Sequence, residues 1–304
     1  MIALRLLCIA TLLVSGDPLF AQERAQLTVG GAKLDVTFSE TPREPLRSAV
    51  LGWISTSARA VATYHERFPV PRVEIRVRFG DGRGASGGVT YGWNGALITI
   101  AVGRASTAAD FADDWLMPHE MLHLGFPSVP ERHHWIEEGI STYVEPIARA
   151  RAGLISAEEA WGDLVRGLPQ GLPQAGDRGL DATPTWGRTY WGGAIFCLLA
   201  DVEIRKRTGN RRGFEHALRA IVRAGGTIEA SWKIERAIEI GDRATGVPVL
   251  RDLYEKMRAA PAPTDLDALW KQLGIERRGR QISFNDAAPL AHIRAAITER
   301  AVQP

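Results

Sequence analysis

The spacing of hydrophobic and polar positions changes along this chain, and the change divides it. Residues 27–29 and 34–38 read as short strands about Gly30-Gly31. Leu46, Val50, Trp53, Ile54, Val61 and Tyr64 then recur at helical spacing, and Pro69 and Pro71 close that helix. Val73, Ile75, Val77 and Phe79 alternate with charged residues, as in a half-buried strand. A glycine-rich stretch, 80–88, reads as a turn. Two β-prone runs, 89–91 and 96–102, flank Trp93-Asn94-Gly95 and predict a hairpin.

From Ser106 onward the spacing is helical. Ser106 or Thr107 can cap a helix carrying Phe111, Trp115, Leu116, His119 and His123. Trp135 begins a second helix reaching about Arg149, and Ser156 caps a third ending near Gly167. An irregular stretch, 168–185, precedes expected helices at 189–208, 214–224, 229–240, 249–257, 266–273 and 289–300. The expected class is α+β. A small mixed sheet with one helix occupies 22–105, an all-helical part occupies 106–304, and the two together form one domain.

Residues 1–21 stand apart. Arg5 precedes the apolar run 6–14, which Gly16, Asp17 and Pro18 break, and cleavage is expected after Ala21. That is the layout of a secretory signal peptide, and the run is short for a bilayer span. A periplasmic or secreted protein is expected, with no membrane span after cleavage. Cys8 lies in the signal, so Cys197 is the one remaining thiol and no internal disulfide is expected. Its apolar surroundings, 194–200, predict burial. The net charge of +2 is scattered over the 304 residues, and nothing in it points to nucleic acid or an acidic membrane surface.

The chemistry concentrates in 118–145. His119, Glu120 and His123 stand in the order H-E-x-x-H. On a helix, positions i and i+4 share one face, so both imidazoles can reach one ion. Zinc suits such donors, and a catalytic zinc takes three protein ligands with one position left for water. Trp135-Ile136-Glu137-Glu138-Gly139 offers the third ligand from a second helix, folded back across a Pro-bounded loop. Glu120 projects at an angle to the two imidazoles, where it can act as general base toward a water. Glu137 competes with Glu138 as ligand but points about 100° round the helix. His133 and His134 are expected in the loop between the two helices. Glu145 shares a helix face with Glu138 and could orient a ligand histidine, or be solvated.

The segment Trp135-Ile136-Glu137-Glu138-Gly139-Ile140-Ser141-Thr142-Tyr143-Val144-Glu145 resembles the second-ligand helix of the glutamate-type zinc metallopeptidases (glutamate zincins). It looks most like the membrane-alanyl aminopeptidase, leukotriene-A4-hydrolase and glycyl-aminopeptidase families. The resemblance covers about 110–218. It implies a thermolysin-like catalytic core with Glu138 as third zinc ligand. It also implies an oxyanion-stabilising tyrosine in a Tyr-x-x-Gly context, which Tyr190-Trp191-Gly192-Gly193 matches. Three features depart from the pattern. Pro118 should kink the metal helix or restart it. The spacing from His123 to Glu138 is short. No Gly-x-Met-Glu-Asn segment is present to hold a free amine, so aminopeptidase specificity does not transfer.

The expectation is an exported zinc metallopeptidase acting on peptide or protein substrates. The alternatives are a zinc hydrolase of a non-protein substrate, such as a cell-wall peptide or an ester, and a periplasmic protein with a structural zinc.

Overall fold

Seven strands and ten α-helices make up the described part of the chain, residues 23–301 of a computed structural model. The expected export signal, 1–21, lies outside the described residues. Strand β1 (Arg24–Val29) turns at Gly30-Gly31 into β2 (Ala32–Phe38), and the two pair antiparallel. Helix α1 (Leu46–His65) crosses over to β3 (Arg72–Gly80), which runs parallel to β2. Strands β4 (Ala85–Tyr91) and β5 (Leu97–Gly103) pair antiparallel, and β5 lies parallel to β3. The sheet order is β1-β2-β3-β5-β4, so β4 is an edge strand.

The alternation in the sequence becomes two faces of this sheet. Leu34, Val36, Val73, Ile75, Ile98 and Ile100 are buried on one face. They share a core with Trp53, Ile54, Ala58 and Val61 of α1. Each such side chain taken from water contributes roughly 1.5–3 kcal/mol. The glycine-rich stretch is not wholly a turn. Strand β4 already begins at Ala85 and runs through Gly87 and Gly88 with a break in register between Ser86 and Val89.

The first helix expected after the sheet is two pieces. A short 3-10 turn (Ala108–Phe111), held by a reciprocal Thr107–Asp110 cap, stops before α2 (Leu116–His123) starts. Asp114 accepts hydrogen bonds from the Met117 N–H and the Trp53 indole at the break. Pro118 is the third residue of α2, within the first turn, where a backbone N–H has no intrahelical acceptor. The proline therefore marks a restart of the helix and leaves the two histidines on an unbroken turn.

Helix α3 (His134–Arg151) follows a single 3-10 turn at Glu131–His133. His134 is thus the first helical residue and not part of the connecting loop. Helix α4 (Ala157–Gly167) carries the expected Ser156 cap, reciprocated by Glu159. The stretch after it contains two short 3-10 turns, and α5 (Gly193–Thr208) is preceded by a wide π-turn at Gly187–Gly192. Gly209, left-handed, ends α5. Helices α6 (Phe214–Arg223), α7 (Ile234–Thr245), α8 (Val249–Arg258), α9 (Leu266–Leu273) and α10 (Ala291–Thr298) complete the chain.

Two expectations are corrected here. Helix α7 starts five residues later than its spacing suggests, because the chain before it pairs with the loop after α2. Ile228 N–H donates to Leu124 O, Ser128 N–H to Ala230 O, and Trp232 N–H to Ser128 O. The C-terminal part is also not all-helical. Strands β6 (Ile275–Arg278) and β7 (Gln281–Phe284) form an antiparallel hairpin about Gly279. Cys197 is buried, as expected. Among the described residues no helix is long and apolar enough to cross a membrane.

Candidate metal centre

The short turn between α2 and α3 folds the second helix back on the first. It brings His119, His123 and Glu138 together, with one donor atom from each within 4.8 Å of the others. His119 Nε2 lies 3.2 Å from Glu138 Oε2 and 3.3 Å from His123 Nε2. His123 Nε2 lies 3.5 Å from the same carboxylate oxygen. Tetrahedral zinc with bonds near 2.0–2.1 Å needs donors about 3.3 Å apart. The donor set, two imidazole nitrogens and a carboxylate oxygen, therefore fits that ion in both chemistry and spacing.

Electrostatics around the three agree with a cation site. Burial would raise the Glu138 carboxyl, but hydrogen bonds to His119, His123 and His134 outweigh it and hold the group well below the usual carboxylate range. Burial lowers His119, so its ring stays neutral and able to ligate. At His123 burial is outweighed by Glu138, Glu120 and Glu137, and the ring is shifted upward.

Glu120 is buried beside this group. Its Oε2 accepts from the Thr90 hydroxyl at 2.7 Å, and the same hydroxyl lies 2.9 Å from the Glu120 carbonyl. Thr90 belongs to strand β4, and the same strand packs against the Glu120 side chain at Gly88. A Cβ at Gly88 would stand 2.6 Å from Glu120 Cγ, so only glycine leaves the carboxylate in place. The glycines that read as a turn are thus part of the wall that holds the candidate base.

Tyr190 sits in the π-turn before α5. Its ring stacks against His119, with centroids 6.2 Å apart, and against Trp186, at 5.7 Å. Burial, with Glu138 and Glu120 nearby, pushes its hydroxyl up to about 12, so it stays a donor through neutral pH. Helix packing puts it there. A Cβ on Gly139 would stand 2.3 Å from the Gly193 carbonyl carbon, and one on Gly193 would stand 2.0 Å from Trp135 O. Helices α3 and α5 therefore meet backbone to backbone, one turn from Tyr190.

The remaining candidates fall elsewhere. Glu137 is not in the donor group: it accepts from the Val129 N–H at 2.7 Å and faces His134 Nδ1 at 3.0 Å. His133 is buried and pairs with Asp181 at 2.9 Å, which also accepts from the Trp135 indole. His134 Nε2 lies 3.2 Å from Glu138 Oε1. Its hydrogen bonds to Glu137 and then Glu138 raise it to about 10.

Glu145 neither solvates nor touches a ligand histidine. It is buried against Arg149 at 3.1 Å, and burial pushes it up to about 8. The pair belongs to a cavity of about 520 Å³ beside the centre, lined by Trp115, His119, Trp186 and Tyr190 among others. Sequence reasoning missed Gly88, Thr90 and this cavity, since they join the centre only through the fold. His134 was missed as well, being expected in the loop; the signal that could have found it is its spacing, one helical turn before Glu138.

No protein-family model matches this chain, and no curated protein does. Solved structures do. An aminopeptidase N family protein from Idiomarina loihiensis superposes with a TM-score of 0.62 at 13% identity, covering 84% of this chain and 49% of its own. An M1 zinc metallopeptidase from Deinococcus radiodurans gives a TM-score of 0.50 at 15% identity, covering 80% of this chain and 54% of its own. A two-domain M1 zinc metallopeptidase bound to L-tryptophan gives 0.52 at 16% identity, over 80% and 52%. At these identities the likeness is one of fold. The chain spans about half the length of those proteins. Its mixed α+β architecture, an N-terminal mixed sheet followed by helices, corresponds to part of the M1 peptidase fold.

Proposed function

We propose that this chain is a zinc-dependent metallopeptidase of the glutamate-zincin kind, built on a thermolysin-like core and exported by residues 1–21. The observation that carries the reading is the convergence of His119, His123 and Glu138 at zinc-ligand spacing, with Glu120 fixed beside them. The likeness in fold to M1 zinc metallopeptidases supports it.

Zinc held there would polarise a scissile carbonyl and lower the pKa of a water. His119, His123 and Glu138 would hold the ion, and Glu120, positioned by Thr90 and Gly88, would take the proton of the attacking water as general base. The Tyr190 hydroxyl donates to the negative charge that develops on the carbonyl oxygen. Edge strand β4 offers unpaired backbone groups on which an extended peptide aligns by strand addition. The aromatic-walled cavity beside His119 receives a side chain next to the bond cleaved.

Glu120→Gln tests this directly. We expect peptide cleavage to fall by at least ~10²-fold, with zinc content still near one per chain. Unchanged turnover in that variant would rule out the mechanism.

A further inference from the structure

Behind the metal-binding set lies a row of polar groups that the hydrolytic reading does not use. The row starts at the turn between the ligand helices, where the Val129 N–H donates to Glu137 Oε1 at 2.7 Å. The other oxygen of Glu137 lies 3.0 Å from His134 Nδ1. His134 Nε2 in turn lies 3.2 Å from Glu138 Oε1. Only Glu138 Oε2 faces His119 and His123, at 3.2 and 3.5 Å. The two oxygens of the third ligand thus have separate partners, a histidine outside the metal set and the metal set itself.

The arrangement follows from helical spacing. His134 opens α3, and Glu137 and Glu138 stand three and four residues on, so one ring reaches both carboxylates from the same face. The ring meets Glu137 through Nδ1 at 3.0 Å and faces Glu138 Oε1 with Nε2 at 3.2 Å. A carboxylate is free to bind a cation through one oxygen or both, and a donor fixed on one oxygen decides between them. Glu137 is itself pinned by a backbone N–H, so the ring is clamped from behind. The His134 side chain is 41% exposed against 15% for Glu137, which puts the ring at the rim of the site.

We propose that His134, clamped by Glu137, is a positioning residue that reserves Glu138 for one-oxygen ligation and so keeps a place open beside the ion. The proposal rests on the metal assignment above and not on the identity of the substrate.

The test is metal binding by the full-length protein in competition with a chelator, and the visible spectrum of the cobalt-substituted form. In His134→Ala, Glu138 is released to use both oxygens. We expect zinc affinity to change by ~10-fold or more, and the cobalt bands to weaken as coordination rises above four. In His134→Gln the amide N–H can still reach Glu138, and most of the wild-type spectrum should return. Glu137→Gln should fall between the two. Zinc affinity within twofold of wild type together with an unchanged cobalt spectrum in His134→Ala would overturn the proposal. So would equal defects in His134→Ala and His134→Gln, which would mark a packing role. Both readouts are independent of hydrolysis: zinc bound at one per chain without peptide cleavage would sink the peptidase reading and leave this one to be decided by the spectra.

Discussion

At the scale of single residues, the centre separates groups by what surrounds them. Two adjacent glutamates, Glu137 and Glu138, differ only by their turn on the helix, yet one is tied to a backbone N–H and the other faces both histidines. Tyr190 is a further case. Its hydroxyl is held up at about 12 and its ring is stacked between His119 and Trp186, so it is a fixed donor beside His119. Tyr190→Phe removes that donor and keeps the stacking. We expect kcat to fall by roughly 10²-fold with KM changed little, because the bond matters mainly as charge develops. Steady-state kinetics on a peptide substrate would measure both; a loss confined to KM would move Tyr190 from oxyanion stabilisation to substrate binding.

At the scale of elements, two short stretches control the centre. The first is α2, where Pro118 sits in the opening turn and the break before it is capped by Asp114. The second is β4, whose Gly88 stands against Glu120. Gly88→Ala puts a methyl group within 2.6 Å of Glu120 Cγ and must displace either strand or side chain. We expect hydrolysis to drop by ~10-fold or more with zinc still bound. An activity assay paired with metal analysis decides it, and full activity would show that the carboxylate has room to move. The H-E-x-x-H helix and the Glu138 helix were legible from spacing alone. The contribution of β4 was not, because nothing in a run of glycines states which helix it will touch.

At the scale of the molecule, the sheet and the helices share one apolar core, and some polar groups are enclosed with it. His65, at the end of α1, is one. Burial, helped by the nearby Arg219, pushes its ring down to about 3 from 6.5. The folded state therefore binds no proton there between those values, while the unfolded chain does. Stability is fully present above pH 6.5 and is lost as pH falls toward 3. By pH 4 the loss attributable to this ring is roughly 3 kcal/mol. Thermal melts from pH 7 to pH 4 should show a falling Tm, and His65→Phe should flatten the slope. An equally steep fall in the variant would assign the acid sensitivity to other groups.

The sequence by itself determined the local content: the alternation that makes β2 and β3, the helical spacing of α1 and α3, the Ser156 cap, and the ligand types at i and i+4. These depend on neighbours within a turn or two, and such signals survive without the fold. Tertiary structure decided what depends on distant partners. It split the expected first helix at Asp114, because Trp53 of α1 supplies a contact there. It delayed α7, because 228–232 pairs with the loop after α2. It turned part of the expected all-helical region into the β6–β7 hairpin, and it buried Glu145 against Arg149 away from the histidines. Above all it placed Gly88 and Thr90 beside a pair of helices whose candidate donors the sequence had offered, and it turned Glu137 away from them. Close backbone approach, as between Gly139 and Gly193, is a property of two elements at once and cannot be read from either alone.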